Sequence, residues 1–255
     1  MSAQSELERV TTELAQVTLE LTRANKTFED FTYIVSHDLK APARGITNFA
    51  GFLMEDYQDK LGEEGKKQLQ TLITLSERMT ALLDALVLYS RAGRVVLVLS
   101  KNNIADIINQ EIQTLQLFLK SHHAEINIAN NMPTIICDAA AIGTVFKNLI
   151  TNAIKFNQSE KKQIEINYQE DNNFHLFSLK DNGIGISKEQ YEQIFKVFRR
   201  LNGHDEYEGG TGVGLTITEK LIERHHGKTW LESVVGEGST FYFTISKALA
   251  SKTDK

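Results

Sequence analysis

The sequence predicts a multidomain chain. An N-terminal coiled coil and helical hairpin would be completed as a four-helix bundle in a dimer, and an α/β sandwich would follow. Three observations carry this expectation. Apolar residues recur every seventh position at Leu7, Leu14, Leu21, Phe28 and Val35, and again at Val10, Val17, Ala24 and Phe31. Only two prolines, Pro42 and Pro133, stand in the way of long helices. From residue 95 onward the period changes, and β-rich runs alternate irregularly with amphipathic stretches.

Residues 1–30 keep the heptad step without a break, so they are expected to form a parallel coiled coil rather than one amphipathic helix packed on its own domain. Residues 31–94 are expected to form the bundle domain. Beyond Pro42 the apolar face widens to Ile46, Phe49, Ala50, Phe52 and Leu53, a bundle face rather than a narrow seam. The polar, glycine-containing stretch from Asp56 to Gly65 reads as a turn. A second helix then carries Leu72, Leu75, Met79, Leu82, Leu86 and Tyr89. Two antiparallel helices cannot bury both stripes alone, so a homodimer is expected. Arg91 to Arg94 closes this domain.

Residues 95–247 are expected to form the sandwich, with 248–255 a polar tail. Val95 to Leu99 reads as a strand, 102–121 as one helix, and 124–129 and 134–137 as short strands. A helix over 139–157 follows, then strands over 163–169 and 174–180. A helix over 212–226 and strands near 229–235 and 239–246 complete the set. Helices and mostly antiparallel strands mix without strict alternation, which points to an α/β sandwich with helices on one face of the sheet.

Composition narrows the function. Hydrophobic residues make up 41% and the formal net charge is −5, so no global attraction to nucleic acid or anionic membrane is expected. No window approaches the eighteen apolar residues of a membrane span, and an N-terminus with Glu6 and Glu8 is no signal peptide. Cys137 stands alone in an apolar run, so a buried structural thiol is expected. These features lead us to expect a soluble, cytoplasmic protein. The adjacent pairs His122-His123 and His225-His226 diverge by about 100° on a helix and are expected at surface or capping positions rather than as zinc ligands.

His37 lies in Ser36-His37-Asp38-Leu39-Lys40-Ala41-Pro42, just off the heptad seam. A partly exposed imidazole beside a carboxylate is suited to act as a nucleophile. Four segments of the second domain bear on its electrophile. Asn148, Asn152 and Lys155 project from one side of a helix, where amide oxygens can help hold a hard cation and an ammonium can meet a phosphate; a solvated polar face is the equally plain reading. Asp181-Asn182-Gly183-Ile184-Gly185-Ile186 follows a strand, so its carboxylate can accept from an exocyclic amine and its glycines let backbone approach a flat ring. Gly209 to Leu215 runs glycine-rich into a helix N-terminus, an anion site that is neither a Walker A loop nor a dinucleotide fingerprint. Between them, the polar stretch that follows Phe195 and Phe198 could close over a ligand.

Together these segments resemble the sensor histidine kinases of two-component signalling. His37 resembles the family's H box, Asn148 to Phe156 the N box, Asp181 to Ile186 the first glycine box, Phe195 and Phe198 the F box, and Gly209 to Leu215 the second glycine box. Gly236 to Phe243 is similar to the last hairpin of its ATP-binding domain. The run from Asn25 through Phe28 and Phe31 to Leu39 resembles cytoplasmic kinase modules behind light and PAS-type sensors. The resemblance implies a dimerisation and phosphoacceptor bundle followed by a Bergerat-type ATP-binding sandwich. It implies ATP and Mg2+, His37 as phosphoacceptor with Asp38 as its acid or base partner, and Asn152 as the magnesium ligand. Asn148 and Lys155 would reach the phosphates, with Phe156 beside them. Asp181 would read the adenine amine above Gly183 and Gly185. Gly210, Thr211, Gly212, Val213, Gly214 and Leu215 would line the phosphates, and Thr240 would support the adenine side. A response-regulator receiver domain would accept the phosphoryl group, and an upstream sensor domain or sensor protein would supply the signal.

Two further expectations concern the histidine's own helix. Pro42 cannot donate to the carbonyl of Asp38, so the helix should bend there. Ala41 stands where many family members have Thr or Asn to orient water, which implies weak phosphatase activity. The competing readings are a Bergerat-fold ATPase of the gyrase, chaperone or mismatch-repair kind, and a scaffold with a degenerate nucleotide site.

Overall fold

The computed structural model describes residues 3–92, 97–196 and 212–252. The chain divides into two compact units, Met1–Arg91 and Ala92–Lys255.

The first unit is a helical hairpin. α1 (Ala3–Asp56) spans 54 residues and runs unbroken through Pro42, and α2 (Glu63–Ala92) returns after a short turn. The hairpin is pinned by Ser76, whose hydroxyl donates to the Ala43 carbonyl, and by the Lys40–Asp84 ion pair. Ala43, Ala50, Leu83 and Ala85 are buried between the helices. Small residues there let the two backbones approach, while the large ones are turned outward. Leu14 (65%), Phe31 (63%) and Phe49 (70%) remain exposed, as do Leu72 and Leu75 of α2. Among the described residues of the hairpin, this apolar stripe stands exposed on both helices.

The second unit is the α/β sandwich. Its elements are β1 (Ser100–Asn103), α3 (Ile104–Thr114), α4 (Gln116–Ser121), β2 (Ala124–Ile128) and β3 (Thr134–Cys137). They continue as α5 (Ala139–Lys155), β4 (Lys162–Glu170), β5 (Phe174–Asp181), α6 (Gly214–Arg224), β6 (Thr229–Val234) and β7 (Gly238–Ser246). The main sheet has the order β2-β4-β5-β7-β6, with only β2–β4 parallel, and β1–β3 forms a separate antiparallel pair. Side chains alternate along the strands, so Ile164, Ile166, Phe177, Leu179, Phe241, Phe243 and Ile245 all face one side. There they meet α5, whose Phe146 sits edge-on to Phe177 and Phe243 at centroid distances of 6.2 and 5.4 Å. Helices thus cover one face of a mostly antiparallel sheet, as the sequence predicts.

Caps explain where the helices begin. Asn103 accepts from the Ala105 N–H at the head of α3, and Asp138 accepts from Ala141 at the head of α5. The second oxygen of Asp138 also accepts from Val98 N–H at 2.8 Å. That bond corrects the strand expected at Val95 to Leu99. Val98 gives its N–H to a side chain and is 74% exposed, so pairing starts only at Ser100; residues 95 and 96 lie outside the described residues. The helix expected over 102–121 is divided at buried Leu115, although no Gly or Pro marks the break.

One other expectation is corrected. The tail expected from residue 248 is part of the fold at its start, since Leu249 is only 2% exposed and its 3-10 turn packs on β3. His225 takes a capping position, as expected, but inside the fold rather than on the surface. It is wholly buried at the end of α6, donating from Nδ1 to the Leu221 carbonyl and accepting the Asp138 N–H at Nε2. Burial pushes its pKa below the ordinary histidine value, which keeps the neutral tautomer that this arrangement needs. Cys137 is buried as expected, and burial raises its thiol to about 11.

Candidate functional site

The phosphoacceptor candidate sits in mid-helix on α1. His37 Nδ1 lies 3.1 Å from Asp38 Oδ1, and both side chains are 72% exposed. With Nδ1–H donating a hydrogen bond to the Asp38 carboxylate, the Nε2 lone pair is left free on the exposed imidazole. Ser36 and Thr32, by contrast, are buried toward α2. Helical spacing therefore separates a packed side from a reactive one within two residues.

In the second unit, the ends of α5 and β5 and the start of α6 converge. α5 ends at Phe156, whose carbonyl accepts the Ile184 N–H at 3.0 Å. This one bond joins the Asn-rich helix to the turn after β5. Gly183 is required there, because a Cβ would stand 2.5 Å from the Phe156 carbonyl oxygen. Gly185 has φ +71°, and its Cβ would come within 2.1 Å of the Val234 carbonyl. Both glycines thus permit a backbone approach that no other residue allows.

Asp181, at the end of β5, is 6% exposed. Its Oδ1 accepts from the Gly183 N–H at 2.8 Å and the Ser239 N–H at 3.2 Å. Burial nevertheless outweighs these bonds and raises the carboxyl to about 6. A carboxylate held in a desolvated turn by backbone donors is a strong, fixed acceptor for an amine.

The Asn-rich helix meets the second glycine segment directly. Asn148 Nδ2 donates to the Gly214 carbonyl at 3.1 Å, so α5 anchors the first turn of α6. Asn152 and Lys155, on the same side of α5, are half-buried. Val213 is buried, and Gly212 has φ +70° at the entry to the helix. Leu215 occupies its first turn. Phe195 is tied to the same helix through Thr216 Oγ1, which donates to its carbonyl at 2.7 Å. Gly210, Thr211 and Phe198 lie outside the described residues, as does the polar stretch expected to close over a ligand.

Thr240 does not support the Asp181 side. It pairs with Lys180 and Glu232 in the ladder, so its side chain stands on the sheet face opposite Asp181. A strand flips sides with each residue, and Ser239 is the one that reaches Asp181.

Sequence reasoning also missed the residues that brace the turn. Asn182 Oδ1 accepts from Asn157 Nδ2 and from the Gln163 N–H, both at 2.8 Å. On the other flank, Ser233 Oγ accepts the Ile186 N–H and donates to the Gly238 carbonyl. Tyr191 closes onto the Ser233 backbone with its hydroxyl. The available signals were Asn157 directly after the α5 motif and the small polar Ser233 and Ser239 within apolar strands.

Known proteins resemble this chain in sequence and in fold. The family model for the His Kinase A (phospho-acceptor) domain matches residues 29–94, and that for the histidine kinase-, DNA gyrase B- and HSP90-like ATPase matches residues 137–249. Cyanobacterial phytochrome B of Nostoc sp. is 47% identical over 91% of this chain and 31% of its own length. The methanogenesis regulatory histidine kinase FilI of Methanothrix harundinacea is 31% identical over 94% of this chain and 27% of its own length. The chain therefore spans about a third of the relatives it matches. A crystal structure of histidine kinase ThkA with the response regulator TrrA aligns with a TM-score of 0.61 at 22% identity, covering 97% of this chain and 67% of that one, which shows a shared fold. With both family domains in order along one chain, this protein belongs to the sensor histidine kinases, as their catalytic core.

Proposed function

We propose that the chain binds ATP in the second unit, phosphorylates its own His37 as a homodimer, and passes the phosphoryl group to an aspartate of a response-regulator receiver domain. The observation that carries this reading is His37 itself, an exposed imidazole oriented through Nδ1 by Asp38. Neutral Nε2 attacks the γ-phosphorus in line, the bond to the bridging oxygen breaks, and ADP leaves. Asp38 then takes the Nδ1 proton of the phosphoimidazolium and hands it to water.

Asp181 accepts the adenine amine beside Gly183 and Gly185, the α6 N-terminus meets the phosphates, and the segment Gly210, Thr211, Gly212, Val213, Gly214 and Leu215 has the role of binding them. Asn148, Lys155 and Phe156 line the same pocket, with Asn148 holding Gly214 in place. The donor set fits Mg2+ in the way this ion is usually bound, one protein oxygen (Asn152 Oδ1) together with phosphate oxygens and water. When bound, magnesium neutralises phosphate charge.

The exposed heptad residues of α1 support a coiled coil over 1–30 and a dimeric bundle over 31–94, with the sandwich beginning near 95. The activity lies in the cytoplasm behind a sensor domain or sensor protein, a reading supported by the likeness to cyanobacterial phytochrome B. Ala41, one turn after His37, offers no group to orient water, so phosphatase activity toward the regulator is weak. A bend at Pro42 relays rotation of the coil. Unchanged basal activity and response in Pro42→Ala would reject that relay.

Incubation with γ-labelled ATP and magnesium tests the central reading. Acid-labile label that disappears in His37→Ala is expected. Release of free phosphate without protein label would favour a Bergerat-fold ATPase, and neither outcome would leave a scaffold.

A further inference from the structure

His37 shares its side of α1 with a second polar residue. Lys40 follows three positions on, where helical neighbours stand about 5–6 Å apart at Cβ. Its ammonium reaches across the hairpin to the Asp84 carboxylate of α2. The Lys40 side chain is 27% exposed and that of Asp84 64% exposed, so the pair lies at the rim of the hairpin, with the lysine mostly covered and the carboxylate open to water. Ion pairs of this kind hold weakly. Helical side chains lean toward the N-terminus and cover the turn before their own Cα. For Lys40 that turn carries His37, and the neighbouring Ala41 methyl leaves the way open.

We propose that Lys40 exchanges partners, resting on Asp84 while His37 is unmodified and moving to the phosphoryl oxygens as His37 receives them. The proposal rests on His37 being the phosphoacceptor. A phosphoryl group brings about −1.5 to −2 of charge near neutral pH, against −1 on the half-solvated Asp84. Coulomb attraction scales with that charge, so the new anion one turn away outcompetes the carboxylate. Asp38 cannot serve in its place, because its charge has the wrong sign and its oxygen is committed to Nδ1. Lys40 then neutralises the incoming phosphoryl group, and the bridge between α1 and α2 opens in the same event. Asp84 acts only through Lys40, as the holder of its waiting position.

The test is autophosphorylation of the whole chain with γ-labelled ATP and magnesium. The variants are Lys40→Met, Lys40→Arg, Asp84→Asn and the Lys40→Met/Asp84→Asn double. Losing the cation is expected to lower the initial rate about tenfold with KM for ATP unchanged, and Lys40→Arg to recover most of it. Freeing the lysine with Asp84→Asn is expected to raise the rate about two- to threefold, but to change nothing when Lys40 is already Met, because the two residues act as one unit. Label at His37 that is indifferent to Lys40→Met, or an Asp84→Asn effect equal in both backgrounds, overturns the proposal alone. No label, or label surviving His37→Ala, overturns the phosphoacceptor reading and the proposal with it. Circular dichroism checks the hairpin. Should Lys40→Met lose helix, Asp84→Asn decides by itself, and a rate at or below that of the unaltered chain refutes the exchange.

Discussion

Replacing Asp181 with Asn should stabilise the α/β unit at neutral pH while abolishing nucleotide binding. The carboxyl is buried and its pKa stands at about 6 against an ordinary 3.8. At 1.36 kcal/mol per tenfold change, ionising it inside the fold costs about 3 kcal/mol more than in the unfolded chain. The sign follows from proton counts. Below pH 3.8 both states carry the proton and the group favours neither. Between 3.8 and about 6 the unfolded chain releases it first, so unfolding becomes easier as pH rises. Above about 6 both are ionised and the full penalty applies. Asparagine keeps an acceptor for the Gly183 and Ser239 N–H groups without the charge. After allowance for weaker hydrogen bonds, a gain of about 1–3 kcal/mol is expected at pH 8 and none near pH 4. The single tryptophan, Trp230 on β6, reports unfolding of this unit alone during a urea titration. Equal stability of the variant and the unaltered chain at pH 8, or a gain of the same size at pH 4, would refute the argument.

Gly185→Ala should cost about 1–3 kcal/mol and loosen the turn, because its Cβ would meet the Val234 carbonyl at a strained φ; the same Trp230 titration measures it. His225→Leu should lose about 1–3 kcal/mol by leaving the Asp138 N–H unpaired. In the unaltered chain the lowered His225 pKa makes stability fall as pH drops below 6.5, since the unfolded chain takes up the proton first, and this slope should vanish in the variant. ATP affinity should weaken below about pH 6 as Asp181 gains its proton, and nucleotide titrations from pH 5 to 8 would show it. Ala41→Thr should raise the rate of phosphate loss from a phosphorylated receiver by about tenfold or more, in keeping with a positioned water-orienting group; an unchanged rate would remove the role assigned to that position.

Much of this was legible in one dimension because the relevant interactions are local. Helical residues three and four apart are neighbours, so the stripe through Leu14, Phe31 and Phe49, and the separation of buried Ser36 from exposed His37, follow from spacing alone. The strands from β2 onward were readable by their alternation and by the turns between them. Within the expected strand, residues 97–99 were misread because β-branched and apolar residues suggest a strand only when a ladder partner exists, and Asp138 takes the Val98 N–H instead. The capping position of His225 was legible but its burial was not, because nothing near it in sequence reveals the Asp138 backbone that it accepts from across the fold.

The sequence by itself determined the helical hairpin, the order of the motifs and the placing of His37 beside Asp38 off the packed stripe, since each depends on periodicity or on adjacent residues. Only the tertiary structure decided which residues serve Asp181. Strand register put Ser239 beside the carboxylate and sent Thr240 to the opposite face. Register is set by pairing between strands 58 residues apart at this point, and a slip of one residue would exchange the two. The same holds for Lys40 and Asp84, which are 44 positions apart and meet only because the hairpin closes.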